Sequence, residues 1–142
     1  MYNEAKIIKE RMSKMIKEVV FTSKAPLVVG PYSQAVICNN FMYLSGQIPV
    51  DPKTGELVVG DINVQTSRVL DNIEAVLGEK GLTLNSVIKT TIFLTDLNDY
   101  TTVNNIYGTY FKEAPPARSC VQVSALPRGV NIEIECIASL DN

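Results

Sequence analysis

The chain has 142 residues, of which 46% are hydrophobic and 20% charged, a composition typical of one globular domain with a core of its own. Thirteen basic and fifteen acidic residues give a net charge of −2, so the sequence offers no large positive field for a phosphate backbone, and nucleic acid is not an expected partner. Histidine is absent and the three cysteines show no CxxC spacing, which excludes Ser-His-Asp and Cys-His mechanisms and any zinc site read from such spacing. Acid-base chemistry must therefore use a carboxylate, a tyrosine, a lysine or a cysteine.

Residues 1–17 are richer in charge than the rest of the chain, and their apolar residues form no stretch as long as a signal peptide or a membrane span. Four apolar residues of this segment would share one face of a helix: Ile8, Met12, Met15 and Ile16. We expect residues 1–17 to be a loosely attached extension, with Met15 as a candidate translation start; the alternative is a short docked helix. Residues 18–142 are expected to form a single domain of a cytoplasmic protein that does not bind a membrane.

The first half of this domain predicts three strands followed by a helix. The strands are expected at residues 19–22, 33–38 and 41–47. Asn39 and Asn40 are expected to join the second and third strands as a hairpin, because asparagine tolerates the left-handed backbone of a tight turn. Asp61 is the expected N-cap of the helix, and Gly81 marks its end. The apolar stripe of this helix consists of Val69, Leu70, Ile73, Val76 and Leu77.

The second half predicts a strand, a helix and two further strands. The strands are expected at residues 87–95, 118–124 and 131–139. Asn98 is the expected N-cap of the helix, which Pro115-Pro116 should end. This second helix carries Tyr100, Val103, Tyr107, Tyr110 and Phe111. The order βββαβαββ predicts an α+β two-layer sandwich, in which two helices pack on one face of a mixed sheet.

The sheet face away from the helices is also predicted to be partly apolar. Alternation along the fourth strand places Ile88, Ile92 and Leu94 on one side and Phe93 on the other. Ile137 of the last strand is expected to join Phe93. A second face of this kind indicates burial against another subunit.

The last two strands contain the residues best suited to chemistry. If they form a hairpin that buries its valines and isoleucines together, a four-residue loop at 125–128 sets Cys120 opposite Glu133. The same register sets Arg118 opposite Glu135. One guanidinium, one thiol and two carboxylates would then gather on the sheet face away from the helices.

Arg118 and Glu133 are the candidate functional groups of this pair of strands. A guanidinium is a natural bidentate partner of a small carboxylate, and a glutamate is the strongest acid-base candidate in a chain without histidine. The alternatives are a solvent-exposed ion pair between strands and a Cys120 that only fills space. A nearby guanidinium would lower the pKa of a glutamate and burial would raise it, a balance that the sequence leaves open.

Two glycine-containing segments end on neighbouring strands. Gly30-Pro-Tyr-Ser-Gln34 precedes the second strand, and Ser45-Gly-Gln-Ile-Pro49 follows the third. Their glycines and prolines are typical of turns and bulges, although Tyr32 could instead supply a hydroxyl to a pocket. Neither segment resembles a phosphate-binding GxGxxG or GxxxxGK[ST] loop, so the sequence does not predict nucleotide binding.

With these segments in place, the chain resembles the RidA (YjgF) family of imine/enamine deaminases over residues 19–139. The resemblance rests on five motifs in the same order: Gly30-Pro-Tyr-Ser-Gln34, Ser45-Gly-Gln-Ile-Pro49, Lys89-Thr-Thr-Ile-Phe93, Pro116-Ala-Arg-Ser-Cys120 and Ile132-Glu-Ile-Glu135. It implies a chorismate-mutase-like subunit, a homotrimer, and active sites in the clefts between subunits.

The resemblance also implies an activity, the hydrolysis of 2-iminobutanoate and 2-iminopropanoate without a metal or organic cofactor. Arg118 matches the arginine that holds the substrate carboxylate, and Glu133 matches the glutamate that assists the attacking water. Four residues match positions that line the pocket: Tyr32, Gly46, Asn104 and Cys120. Glu135 is expected to be structural. The alternative function is a non-catalytic regulatory trimer that binds a small carboxylate through Arg118.

Overall fold

A computed structural model describes residues 2–12 and 16–141 of the chain as one mixed sheet with helices. Its strands are β1 (Glu18–Val20), β2 (Ala35–Cys38), β3 (Phe41–Gln47), β4 (Val87–Leu94), β5 (Ala117–Gln122) and β6 (Ile132–Ser139). Its helices are α1 (Tyr2–Met12), α2 (Ile62–Gly78) and α3 (Tyr100–Tyr110). The sheet order is β1-β2-β3-β6-β4-β5, and buried residues of α2 and α3 share one core with it. The predicted α+β architecture and the order βββαβαββ from residue 18 onward are confirmed.

Helix α2 begins and ends where the sequence predicts. Asp61 accepts hydrogen bonds from the backbone N–H groups of Asn63 and Val64 at 3.0 and 3.2 Å, which satisfies two donors that the first turn leaves free. Gly81 follows the helix with a φ of +69°, a backbone conformation that glycine adopts without strain. The predicted stripe is fully buried in the core: Val69, Leu70, Ile73, Val76 and Leu77.

Strands β2 and β3 form the predicted hairpin. Asn39 and Asn40 adopt φ values of +49° and +69° at its turn, as expected for asparagine. Both β1 and β2 are shorter than predicted at their adjoining ends, because the side chain of Gln34 replaces the pairing there. Its Oε1 accepts from the Thr22 N–H at 2.7 Å, and its Nε2 donates to the Thr22 carbonyl at 3.0 Å.

The predicted burial of Ile88 is wrong. Ile92 and Leu94 are buried as expected, but Ile88 is 45% exposed. A register shift between Val87 and Lys89 at the start of β4 breaks the alternation, so that Val87 takes the core position instead.

Asn98 is not the N-cap of α3, contrary to the prediction. A short 3-10 turn, Leu97–Asp99, precedes the helix. Asp96 caps that turn by accepting the backbone N–H of Asn98 at 2.9 Å, so the stronger anionic acceptor takes the capping role one step earlier. The helix ends at Tyr110, before Pro115-Pro116 is reached.

The predicted hairpin between β5 and β6 is also wrong, because β4 lies between the two strands. β4 pairs in parallel with β5 and antiparallel with β6. The end of β4 keeps them apart: the Leu94 carbonyl accepts the N–H of Val123 at 2.8 Å, and the Thr95 N–H donates to the carbonyl of Asn131 at 3.1 Å. β4, α3 and β5 form a crossover unit, so β4 and β5 lie side by side as parallel strands. The strand β4, which is rich in β-branched residues, therefore has a strand partner on each side.

The N-terminal segment contains α1, in which Ile7 and Ile8 are 49% and 57% exposed. Part of the predicted apolar face lies outside what the structure describes, including the side chains of Met12 and Met15. Whether residues 1–17 are loosely attached stays a prediction. None of the helices in the described ranges has the length and apolar run needed to cross a bilayer.

Candidate functional site

The four groups predicted to gather on one sheet face lie on two faces. Arg118 is not opposite Glu135, and Cys120 is not opposite Glu133, because each pair is separated by β4. Arg118 instead pairs with Thr90, whose buried side chain bonds to α3, so Arg118 and Cys120 lie on the helix side. Glu133 and Glu135 alternate with buried residues of β6 and lie on the helix-free face.

Two tyrosines of α3 hold the guanidinium of Arg118. Its Cζ lies 4.9 Å from the ring centre of Tyr107 and 5.5 Å from that of Tyr100, within cation–π range. Its Nη2 also donates a hydrogen bond to the Tyr100 hydroxyl at 3.0 Å. Among the residues that the structure describes, Arg118 forms no ion pair with a carboxylate. Its charge is therefore available to an anionic ligand.

Asn104 and Cys120 complete this group, which we call the arginine half-site (Arg118, Cys120, Asn104, Tyr100 and Tyr107). Asn104 lies one helical turn from each tyrosine on the same face of α3. Its buried Oδ1 has no hydrogen-bond partner in the described part of the chain, an arrangement that is costly unless a donor arrives. Burial raises the pKa of the Cys120 thiol and the Arg118 charge partly offsets this, so the thiol is the resting form at neutral pH.

The second group surrounds Glu133 at a bulge in β3. The register between β3 and β6 shifts between Leu44 and Gln47, which places Gly46 directly beside the Glu133 side chain. A Cβ on Gly46 would lie 2.7 Å from Glu133 Cδ and closer still to Oε1. Because Gly46 has no Cβ, it leaves room for the Glu133 carboxylate.

Tyr32 lies next to this bulge. Ser45 Oγ donates to the Ser33 carbonyl at 2.6 Å, and the Ser45 N–H donates to the Gln34 carbonyl at 2.9 Å, which ties the two glycine segments together. Tyr32 is 52% exposed and lines an open depression with Tyr43 of β3. We call Tyr32, Gly46 and Glu133 the glutamate half-site.

The protonation of Glu133 is set by its surroundings on this face. Burial raises its pKa, and the charge of Glu135 raises it further. Arg118 does not lower it, because the guanidinium lies on the other side of the sheet. Within a single chain, the balance that the sequence left open is thus resolved in favour of a raised pKa.

The structure places Arg118, Asn104 and Cys120 on the helix side of the sheet and Gly46 and Glu133 on the helix-free face, with Tyr32 beside the β3 bulge; that these six residues form one site stays a prediction. The sequence interpretation missed Tyr100, Tyr107 and Thr90 as neighbours of Arg118. Helical spacing was the signal for the tyrosines, since both flank Asn104 on one face of α3. In the described ranges, no group of three His, Cys, Asp or Glu side chains is placed to hold a metal ion.

Comparisons with known proteins cover nearly all of the domain. The profile of the Endoribonuclease L-PSP family matches residues 22–140. A RutC family protein of Pyrococcus abyssi is 56% identical over 124 residues, 87% of this chain and 98% of its own length. A mouse protein named 2-iminobutanoate/2-iminopropanoate deaminase is 48% identical over 127 residues, 89% of this chain and 94% of its own.

Solved structures agree with the fold. The Yersinia pestis protein YyfA, of the conserved Rid protein family, superposes with a TM-score of 0.86 at 53% identity, over 87% of this chain and 99% of its own. Escherichia coli TdcF, solved with bound serine, superposes with a TM-score of 0.82 at 42% identity, over 86% of this chain and 98% of its own.

Proposed function

The chain belongs to the Endoribonuclease L-PSP family, which is the RidA family, and on that premise we propose that it hydrolyses 2-iminobutanoate and 2-iminopropanoate to 2-oxo acids and ammonia. The observation that carries this proposal is Arg118, a half-buried residue whose guanidinium is held by two tyrosines and has no carboxylate partner in the described residues. A planar cation of this kind is suited to a small carboxylate, which it can bind through two parallel hydrogen bonds. The bound serine of TdcF is a ligand with such a carboxylate.

Glu133 is proposed as the proton-transfer group. Its raised pKa brings it closer to the range in which a carboxyl both accepts and returns a proton near neutral pH. Glu133 takes a proton from water as the water oxygen attacks the imine carbon. The proton then passes to the nitrogen, which gives a 2-amino-2-hydroxy acid. Glu133 next transfers the hydroxyl proton of this intermediate to the amino nitrogen; the C–N bond breaks, the C=O bond of the 2-oxo acid forms and ammonia leaves. The imine carbon is already electrophilic, so its hydrolysis needs only a positioned substrate and proton transfer. Arg118 supplies the positioning and Glu133 the proton transfer.

Asn104 is proposed to receive the imine nitrogen. Its buried Oδ1 lacks a hydrogen-bond donor in the described part of the chain, and the N–H of an imine or iminium would supply one. Cys120, whose thiol is protonated at rest, would form a neutral wall of the same pocket. Neither residue needs to form a covalent bond with the substrate.

Since Arg118 and Glu133 lie on opposite faces of one sheet, we propose that the site is shared between subunits of a homotrimer. The arginine half-site lies at the sheet edge formed by β5, which in residues 2–12 and 16–141 has a strand neighbour on its β4 side alone. The helix-free face holds the glutamate half-site together with Phe93 and Ile137, which are only partly buried in the single chain. A second copy that covers this face would bring its own β5 edge beside Glu133.

The family description also contains the name endoribonuclease, but the site favours imine hydrolysis. The 142 residues include no histidine for acid-base catalysis near neutral pH, and the net charge of −2 provides no general attraction for RNA. An RNA-cleavage assay on the same preparations tests that name directly.

The experiment that tests the proposed function is a coupled assay with freshly generated 2-iminobutanoate, measured against the spontaneous rate in the same buffer. We expect Arg118→Ala to lose both hydrolysis and binding of 2-oxobutanoate, because a charge-assisted hydrogen bond is worth about 1.5–3 kcal/mol and the guanidinium would make two. We expect Glu133→Gln to keep binding and lose about 10²–10⁴-fold in kcat. Binding through Arg118 with no turnover above the spontaneous rate would instead identify a regulatory carboxylate-binding trimer.

A further inference from the structure

We propose that Tyr100 and Tyr107 are positioning residues that hold the Arg118 guanidinium in a binding-competent orientation without neutralising it. This inference deepens the proposed function and rests on the same arginine. It assigns a role to two residues of α3 that are not expected to contact the reacting atoms.

Tyr107 forms a fixed platform beneath the guanidinium. Its side chain is 6% exposed, and its hydroxyl is hydrogen-bonded to Thr90 Oγ1 at 2.8 Å. Its ring packs against Phe111 with the ring centres 4.4 Å apart. Thr90 is also the strand partner of Arg118, so the ring is anchored to the backbone row from which the arginine extends. The distance of 4.9 Å from Arg118 Cζ to the ring centre is therefore set by the Thr90 hydrogen bond, the Phe111 contact and the strand pairing of Thr90 with Arg118.

Tyr100 fixes the rotation of the guanidinium on that platform. Its hydroxyl accepts one hydrogen bond from Nη2 at 3.0 Å, and its ring lies 5.5 Å from Cζ. A guanidinium has five N–H donors, so one bond to Tyr100 leaves an edge free for a carboxylate.

Aromatic rings, unlike a carboxylate, hold the Arg118 guanidinium without forming an ion pair with it. A carboxylate partner would hold Arg118 equally well, but it would compete with the substrate for the same donors and cancel the charge. The negative face of an aromatic ring stabilises a partly desolvated cation and leaves its N–H groups unoccupied. The tyrosines thus act through Arg118 on ligand affinity and not on proton transfer. This predicts a change in KM with little change in kcat.

The test compares tyrosine variants by calorimetric Kd for 2-oxobutanoate and by KM and kcat for 2-iminobutanoate. Tyr107→Leu should raise Kd and KM together by about 3- to 30-fold, the loss of one cation–π contact, with kcat within about 3-fold. Tyr107→Phe keeps the ring and should restore most of the affinity. Tyr100→Phe should raise Kd by about 2- to 10-fold through the loss of one hydrogen bond.

Tyr110 provides the matched control on the same helix. Its hydroxyl bonds to Asp71 at 2.7 Å, away from Arg118, so Tyr110→Phe and Tyr110→Leu should leave Kd and KM unchanged. The proposal is overturned if Tyr107→Leu binds like the unmodified protein, if Tyr107→Phe is as weak as Tyr107→Leu, or if Tyr110→Leu weakens binding equally.

A spectroscopic readout keeps the proposal testable if Tyr107→Leu does not fold. In the unmodified protein, the Nε–H resonance of Arg118, assigned by its loss in Arg118→Lys, should be shifted upfield by the ring currents of the tyrosines. A resonance at the ordinary arginine position would contradict the proposal. If the protein binds 2-oxobutanoate without hydrolysing the imine, the proposed function fails, but the Kd values of the tyrosine variants still test the role of Tyr100 and Tyr107. If the protein does not bind 2-oxobutanoate, the position of the Arg118 Nε–H resonance tests that role.

Discussion

Replacing Gly46 with alanine should displace the Glu133 carboxylate while leaving the sheet intact. The new Cβ would lie 2.7 Å from Glu133 Cδ, whereas ordinary contact begins near 3.4 Å, so the carboxylate must retreat by about 0.7 Å or more. The atoms that must move are the far end of a flexible side chain. An off-rotamer side chain costs about 0.5–1.5 kcal/mol, which bounds the expected loss of unfolding free energy.

The expected effect on hydrolysis is much larger than the effect on stability. A misplacement of about 1 Å in a reacting group lowers the rate on the order of 10²-fold, so Gly46→Ala should lose about that much in kcat and retain 2-oxobutanoate binding. The assay is imine hydrolysis alongside thermal unfolding. Gly78→Ala is the matched control, because a Cβ at that glycine meets nothing within 4 Å.

A double variant separates this mechanism from a general disturbance of β3. In the Glu133→Gln background the proton-transfer capacity is already lost, so adding Gly46→Ala should lower kcat little further. A full additional loss in the double variant would refute the reasoning, as would a Gly46→Ala protein with unchanged kcat.

Three further predictions concern stability and assembly. In the single-chain form, at protein concentrations below assembly, the folded state raises the pKa of Glu133, so the folded chain binds more protons than the unfolded one as the pH rises past the ordinary carboxyl pKa. The stability of that form should fall until the pH exceeds the raised pKa, and Glu133→Gln should flatten that part of a chemical-denaturation series. Light scattering should give a mass of about 47 kDa, three times 15.6 kDa, and Phe93→Glu should reduce it to that of one chain; a single-chain mass for the unmodified protein would contradict the shared site. Asp61→Ala should lower the unfolding free energy through the lost cap of α2, as measured by chemical denaturation, and Asp61→Asn should restore most of it; equal losses in both variants would argue against capping.

Local patterns in the sequence were sufficient to predict most of the fold. The stripe of α2, its Asp61 cap and the Asn39-Asn40 turn each depend on interactions within a few residues, and all three are confirmed. The predictions that Ile88 is buried and that Asn98 caps α3 were wrong. Both outcomes depend on local interactions in which two alternatives are finely balanced. A one-residue bulge reverses an alternating pattern, and a short 3-10 turn capped by Asp96 lies where Asn98 was expected to begin the helix.

The pairing of β5 and β6 was wrong because strand order is a non-local property. Alternation fixes which residues share a face only after the neighbour is known, and a nine-residue connection, 123–131, is long enough to pass the end of β4. The β4-α3-β5 order was the better guide, since a strand–helix–strand unit makes adjacent parallel strands. For the site, the residue types were predicted from the sequence and the resemblance, but their division between two faces was not. That division depends on the strand order.

The most direct test of the proposed site is complementation between two inactive variants, Arg118→Ala and Glu133→Gln. When the two are dissociated, mixed in equal amounts and reassembled, a site shared between subunits should regain about one quarter of the unmodified activity, since a quarter of random interfaces pair an intact arginine with an intact glutamate. The control mixes the unmodified protein with the double variant Arg118→Ala/Glu133→Gln, which should also give about one quarter for shared sites but about one half for sites within one chain. Recovered imine hydrolysis near one quarter in both mixtures is the predicted result. No recovery in the first mixture together with one half in the second would contradict a site built from Arg118 of one subunit and Glu133 of the next.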